Sequence, residues 1–269
     1  MKKLATALVS AAAIMTMSTT AFAAENPAEV FDRVMEKNNT IQSAEIQSGV
    51  HSVILAKDVI PDGQMKVDMA MHAEMDMQDT TDLKYLAQVA SSILGQDSYS
   101  QVFYTDGYYY VDANGVKLKY PMPLEQIISS VQTGVNTSNM ESSYMKGISL
   151  NEVNGKRVLA YDANPNKLNK NVKEALGTVM NTLGTDVNLD MNIQEMKGAY
   201  VLDDNDYIIY MTNYIVYNME VLDQPMTCIT LMETEVQNPG EPVVVTLPST
   251  DGYEDLIGLY DGVIESEVE

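Results

Sequence analysis

From Gln64 to Gln78 the chain alternates almost without a break. Met65, Val67, Met69, Met71, Ala73, Met75 and Met77 hold the odd positions, while Lys66, Asp68, His72, Glu74 and Asp76 hold most of the even ones. A period of two sorts the two sets onto opposite faces of a strand; a helix would scatter both around its circumference. Ala44 to Ala56 keeps the same rhythm, with Ala44, Ile46, Val50 and Ile54 opposed to Glu45, Gln47 and His51. Pro61-Asp62-Gly63 divides the two runs, and together they predict a long hairpin. Ahead of it, Asn26-Pro27 with Glu29 has the features of a helix start, since Asn caps, Pro fits the first turn and Glu29 reaches back. Val30, Phe31, Val34 and Met35 then form one apolar face.

Asp82 to Leu94 returns to helical spacing through Leu83, Leu86, Ala87, Ala90 and Leu94, which predicts a helix there. Strands follow at Tyr99–Thr105, Tyr108–Asp112 and Val116–Tyr120, divided by Asp106-Gly107 and Asn114-Gly115, both strong hairpin turns. Pro123–Val131 is expected as a short helix, and Tyr144–Glu152 with Lys156–Tyr161 as a hairpin around Asn154-Gly155. Asn164-Pro165 opens a helix expected to reach about Leu183. Val187–Leu202, Tyr207–Leu222 and Met226–Val236 are expected strands, and Val243–Leu247 a short one. Helices interrupt between hairpins and do not alternate with single strands. The fold class expected is therefore α+β: a large curved antiparallel sheet, an incomplete β-barrel, with helices packed on its concave face.

The first 23 residues have the form of a secretory signal, with Lys2 and Lys3, an apolar run from Leu4 to Met17, and Ala21-Phe22-Ala23 as a cleavage site. Cleavage there leaves a domain over 24–248 and an acidic tail over 249–269. Ala24 stands where a lipoprotein would carry its anchor cysteine, so the mature protein is expected to be secreted, soluble and without a lipid anchor. No later stretch is long and apolar enough to serve as a transmembrane segment. Against 16 Lys and Arg stand 38 Asp and Glu, a formal net charge of −22, which argues against a nucleic-acid partner. A single cysteine, Cys228, excludes an internal disulfide and any multi-cysteine zinc site.

Five stretches together resemble a known group. Ala28-Glu29-Val30-Phe31 in the helix is followed by Ile41-Gln42-Ser43-Ala44-Glu45-Ile46 in the first strand. Beyond them come the Met-x-Met strand at Met69–Met77, Tyr104-Thr105-Asp106-Gly107-Tyr108-Tyr109-Tyr110, and Lys119-Tyr120-Pro121-Met122. The pattern is similar to the LolA/LppX-like superfamily of exported lipid carriers, and further to secreted proteins and lipoproteins of Gram-positive bacteria related to it. The resemblance implies an incomplete barrel, covered by helices, that encloses an apolar cavity for acyl chains. It implies no individual binding residue.

The chain holds 19 Met and 16 Tyr but only three Phe and no Trp. Methionine is flexible and polarizable, so the stripe suits an adaptable apolar lining, although ordinary core packing accounts for it too. Soft thioethers also select Cu(I), and Met69 with Met71, or Met75 with Met77, lie side by side; yet the stripe is far longer than a three-ligand site needs. His51 and His72 are expected on the polar face of the hairpin, facing Ala70 and Gly49 and near Asp68 and Glu74. Solvated surface is the simpler account of both. Cys228, in the alternation Met226, Cys228, Thr230, Met232, is expected on a covered face with no base to make it a nucleophile. Asp203-Asp204-Asn205-Asp206 departs from a calcium loop and is better explained as a hairpin turn.

These observations predict an exported, non-enzymatic protein that holds an apolar ligand, most simply an acyl-chain lipid, without cofactor or metal. The expected lining is Met69, Met71, Met75, Phe103, Met191 and Met211. The alternative is an extracytoplasmic interaction or sensor module with a filled core, whose protein partner the sequence leaves unnamed.

Overall fold

A computed structural model of the chain describes residues 25–56, 60, 62–79, 83–127, 140–170, 191–221 and 224–256. The segment expected to be a signal, most of 123–139 and the helix expected to continue beyond residue 170 lie outside the described residues. One helix, α1 (Pro27–Asn38), precedes twelve strands: β1 (Ser43–Leu55), β2 (Gln64–Asp76), β3 (Lys84–Ile93), β4 (Gln96–Thr105), β5 (Tyr108–Ala113), β6 (Val116–Pro121), β7 (Met145–Val153), β8 (Lys156–Ala163), β9 (Met191–Leu202), β10 (Ile208–Val221), β11 (Gln224–Gln237) and β12 (Glu254–Asp255). Their hydrogen-bonded order is β12-β6-β5-β4-β3-β2-β1-β11-β10-β9-β8-β7. The hairpin neighbours from β3 to β6 and from β7 to β11 are antiparallel, and β12 runs parallel to β6. β12 and β7 stand at the two edges, so the sheet is open, as the incomplete-barrel expectation requires.

The expected helix over Asp82–Leu94 is strand β3. The misleading signal has a physical source: Leu86 and Ala87 are neighbours on opposite faces, and both are buried, at 6% and 4% exposure. A strand covered on both sides loses its alternation, and a run of mixed apolar residues then mimics helical spacing. β3 turns into β4 through Leu94-Gly95, both at positive φ (53° and 77°), the same left-handed pair used at Asp106-Gly107, Asn114-Gly115 and Asn154-Gly155. Leucine is a rare occupant of that conformation, which hid the turn. Val243–Leu247 is likewise no ladder strand. Pro242 and Pro248 bracket it, and it lies as a cover whose Val243 N–H donates to Ser43 Oγ while Val245 is buried. The helices expected from Pro123 and from Asn164-Pro165 begin as helical turns at 124–127 and 165–170.

The chain forms two compact units. The first comprises α1, part of the β1–β2 hairpin (49–68) and residues 139–235. Here α1 is capped as expected: Asn26 Oδ1 accepts from Ala28 N–H, and Asn26 Nδ2 donates to Glu29. Val30, Phe31 and Val34 are completely buried, and Met35 nearly so, against Leu159, Tyr161, Tyr200 and Leu202 of β8 and β9. At its other end, Asn38 accepts from Ile208 N–H and donates to Asp206 O, tying the helix to the β9–β10 turn. The second unit comprises residues 39–48, 69–138 and 236–269. Its core joins Leu86, Phe103 and Tyr110 to Val245 and Tyr253, with Phe103 stacked on Tyr110 at 4.6 Å and Tyr253 edge-on to both. Tyr253 and β12 thus engage the opening residues of the acidic tail.

The Asp203–Asp206 stretch is the β9–β10 turn. Asp203 Oδ1 accepts from the N–H groups of Asn205 and Tyr207, and Asp206 is gripped by Arg33 (2.9 Å) and Arg157 (2.5 Å). Burial by itself would raise the Asp206 pKa, but the hydrogen bonds and charges of the two guanidiniums outweigh it and hold the carboxyl below its ordinary value. A carboxyl depressed in the folded state stabilises fully above its unfolded pKa of about 3.9, and that stabilisation is lost as pH falls through the lower folded value. In urea titrations between about pH 5 and pH 3, Asp206→Asn is therefore expected to lose less stability on acidification than the parent protein. Protonation of the other carboxylates relieves self-repulsion equally in both, so the difference between the two isolates this group. Equal slopes would remove the Arg33–Asp206–Arg157 grip from the account of acid stability.

Candidate functional site

In the first unit the face bearing α1 can be followed strand by strand. Residues directly opposite in a ladder point the same way. On β10 this face carries Met211, Asn213, Ile215, Tyr217 and Met219. Opposite them on β9 stand Tyr200, Gly198, Met196, Ile193 and Met191, after bulges between Ile208 and Tyr210 and between Val216 and Tyr217. Opposite them on β11 stand Thr234, Met232, Thr230, Cys228 and Met226. Six methionines and the one cysteine therefore share a single face. Ile193, Tyr200 and Cys228 on it are buried, whereas Met191, Met196, Met211, Ile215, Tyr217, Met219, Met226 and Met232 are only partly so. Met196, Met211, Ile215 and Tyr217 pack beside the α1 core.

One end of this face is tightly filled. Phe31 from α1 meets the ring of Tyr161 edge-on at 5.8 Å and that of Tyr200 at 6.1 Å. Tyr161 donates its hydroxyl to Asn213 Oδ1 by passing over Gly198. Burial pushes the Tyr200 phenol up to about 12 and the Tyr161 phenol well above its ordinary value, so both are neutral donors at any physiological pH. At the other end burial also raises the Cys228 thiol, and the Tyr217 hydroxyl only partly offsets it. A protonated thiol does not act as a nucleophile.

Of the six residues expected to line a site, the structure brings Met191 and Met211 onto this face. Met69, Met71, Met75 and Phe103 belong to the second unit. Met75 is buried there, Met69 and Met71 are more than a third exposed, and Phe103 sits fully buried in the cluster under Val245 and Tyr253. Glu74, on the even side of β2, accepts from Thr246 N–H of that same covering segment, which puts the odd-numbered methionine stripe on the face away from Phe103. The expectation grouped these residues; in the second unit they point apart. The face opposite the cover instead holds four tyrosines in register across β3 to β6: Tyr85, Tyr104, Tyr109 and Tyr120. Burial, above all, raises the Tyr109 phenol far beyond its ordinary value, with Tyr85 and Tyr120 adding to it.

The histidines occupy the polar side of the β1–β2 hairpin, as expected, but in a different register. The backbone bonds from Ala56 N to Gly63 O and from Met77 N to Gln42 O centre the hairpin one residue earlier than the sequence suggested. Such a shift preserves the faces and changes the partners. His51 Nδ1 lies 2.7 Å from Asp68, not beside Ala70; His72 Nε2 lies 3.1 Å from Glu45, not beside Gly49, with Glu74 3.8 Å away. Among the described residues no three His, Cys, Asp or Glu side chains converge as a metal site, and no helix is long and apolar enough to cross a membrane.

Met196, Met219, Met226 and Met232 complete the sulfur-rich face without having been singled out as lining residues. Their alternation was visible; only the alignment of Met191 with the rest depended on a bulge, between Val216 and Tyr217, that leaves no plain trace in the sequence.

No curated protein matches the chain. Solved structures give remote likenesses. The structure of LprF from Mycobacterium bovis is 11% identical, covers 83% of this chain and 97% of its own, and has a TM-score of 0.36. A β-barrel-like protein of the domain of unknown function DUF1849 from Brucella abortus is 11% identical over 74% of this chain and 100% of its own, with a TM-score of 0.25. The ywiB protein from Bacillus subtilis is 11% identical over 74% and 96%, with a TM-score of 0.20. Residues 26–248 match the model of a family of unknown function, DUF6612, and the chain belongs to that family.

Proposed function

We propose that this is an exported, soluble, non-enzymatic binding protein without a lipid anchor, which holds an acyl-chain ligand on the methionine-rich face of its first unit. The observation that carries the reading is the concentration of partly buried thioethers and Ile215 on the face that α1 covers at one end. The thioether side chains adapt to a flexible chain better than branched ones do. The resemblance to exported lipid carriers supports it, as does the signal-like start of the sequence. Burying ~10 methylenes at ~0.8 kcal/mol each supplies about 8 kcal/mol, which corresponds to roughly micromolar affinity before ordering costs reduce it. A formal charge of −22 disfavours an exposed anionic headgroup at low salt.

Titration of the delipidated, folded protein with fatty acids and phospholipids is expected to give affinity that rises with chain length and changes little with headgroup. Met211→Asp, which would bury a carboxylate among apolar neighbours, is expected to weaken binding at least tenfold. Met191→Asp, at the opening of β9 where the side chain is only partly buried, repeats the test if Met211→Asp does not fold. Folded protein that binds no chain, or binds all lengths alike, would sink the carrier reading and leave the interaction module in its place.

A further inference from the structure

The sulfur atoms on the first unit's helix-bearing face are not spread evenly. Met191 stands directly opposite Met219, and Met219 directly opposite Met226, so three thioethers form a row across β9, β10 and β11. Cys228, two residues along β11 from Met226, points to the same side, and its thiol donates to Met219 Sδ at 3.7 Å. Backbones of directly opposed residues lie about 4.5–5.5 Å apart. Three flexible methionine side chains on adjacent strands can therefore converge on one point beside the thiol.

We infer that Met191, Met219, Met226 and Cys228 form a binding site for a soft monovalent cation, Cu(I). Three observations meet here. The ligands are one thiol and three thioethers, the set that selects Cu(I) over harder ions. The Cys228–Met219 contact of 3.7 Å is an ordinary thiol–thioether contact, and it already brings two of the four sulfurs close enough for one ion about 2.3 Å from each. Cys228 is buried at 1% exposure while the three methionines are only partly buried, so the thiol is anchored and the thioethers form the way in. Zinc is a poor match, because no histidine or carboxylate joins Cys228 in a group of three among the described residues.

Binding exchanges one proton for one metal. The Cys228 S–H bond breaks, its proton passes to solvent, and a Cu–S bond forms; copper enters and stays as Cu(I), and nothing is oxidised or reduced. Because the thiol must give up its proton to bind, affinity rises with pH. The site is a capacity of the folded protein and is distinct from any need for metal in folding. It shares Met191 with the proposed acyl-chain face, so the two are separated by residues that belong to one alone: Met219→Leu reports on copper and Met211→Asp on the chain.

Anaerobic titration of the folded, delipidated protein with Cu(I), in competition with a chromogenic Cu(I) chelator, tests it. One equivalent is expected to be retained, with ultraviolet thiolate-to-copper absorption and release of one proton. Met219→Leu, a swap of nearly equal volume that keeps the fold, is expected to weaken retention at least tenfold, and Cys228→Ser to abolish the absorption. Met69→Leu/Met71→Leu, in the other unit, is expected to bind as the parent does. Failure to hold Cu(I) against the chelator overturns the proposal, as does a Met219→Leu protein that binds like the parent, since the thiol would then be acting alone.

Discussion

Phe31→Ala is expected to destabilise the protein by about 3–5 kcal/mol, a large part of the 5–15 kcal/mol typical of a folded domain. The side chain is completely buried and is the wedge by which α1 meets Tyr161 and Tyr200. Truncation removes a ring's worth of apolar contact and two aromatic edges. The remaining contacts of Val30 and Val34 keep the helix in place, so the void cannot collapse. The two tyrosine hydroxyls beside it are strongly held as neutral donors and offer no apolar surface to refill the space. Urea denaturation gives the measurement: a lower midpoint with an unchanged slope is the expected result. A loss below about 1 kcal/mol would mean that α1 is not docked by this residue.

Gly198→Ala is expected to cost about 2–4 kcal/mol, a large penalty for one methyl group. Its backbone conformation is ordinary, so the requirement is space alone. A Cβ there would lie 2.5 Å from Asn213 Oδ1 and 2.6 Å from both Cζ and Oη of Tyr161. These are not the loose ends of exposed side chains. The phenol is buried and donates to that same Asn213 oxygen, so the methyl group can be housed only by breaking a buried hydrogen bond as well as shifting a ring. The mechanism predicts its own rescue. In Tyr161→Leu the obstructing hydroxyl and outer ring atoms are gone, and adding Gly198→Ala to that background should cost well under half as much. Additive losses in the double variant would show that the glycine matters for another reason.

The parts of this fold most legible in the sequence are those where one physical requirement acts alone. β1 and β2 alternate because one face is apolar and the other carries His51, Asp68, His72 and Glu74. The three turns at residues 106–107, 114–115 and 154–155 were marked because Asp-Gly and Asn-Gly are the pairs that accept two positive φ values. β3 failed because its first half is covered on both sides. Val243–Leu247 failed differently: its alternation is real, but it reports burial against a neighbouring surface and not membership of a ladder. Within the candidate face, Met191 and Met211 could be picked out as apolar positions of long strands. Met191 could not be grouped with Met196, because the bulge between Val216 and Tyr217 shifts which residue of β9 meets which of β10. Phe103 misled because a fully buried aromatic looks the same in sequence whichever face it covers.

Strand order has a consequence for how the chain assembles. β3 to β6 form a meander whose turns are two residues long, so its contacts are of low contact order and its hairpins can close within microseconds. β1 is different. It lies beside β11, with Ser52 hydrogen-bonded to Thr230 across 178 residues of chain. α1 likewise waits for β8 and β9 before Phe31 has anything to meet. Closing loops of that length carries a high entropic cost, so the meander precedes the completed first unit on any route the topology allows. Until β11 arrives, β1 has an unpaired edge. A chain built this way holds an early meander beside a first unit that cannot be completed until β11 has been made.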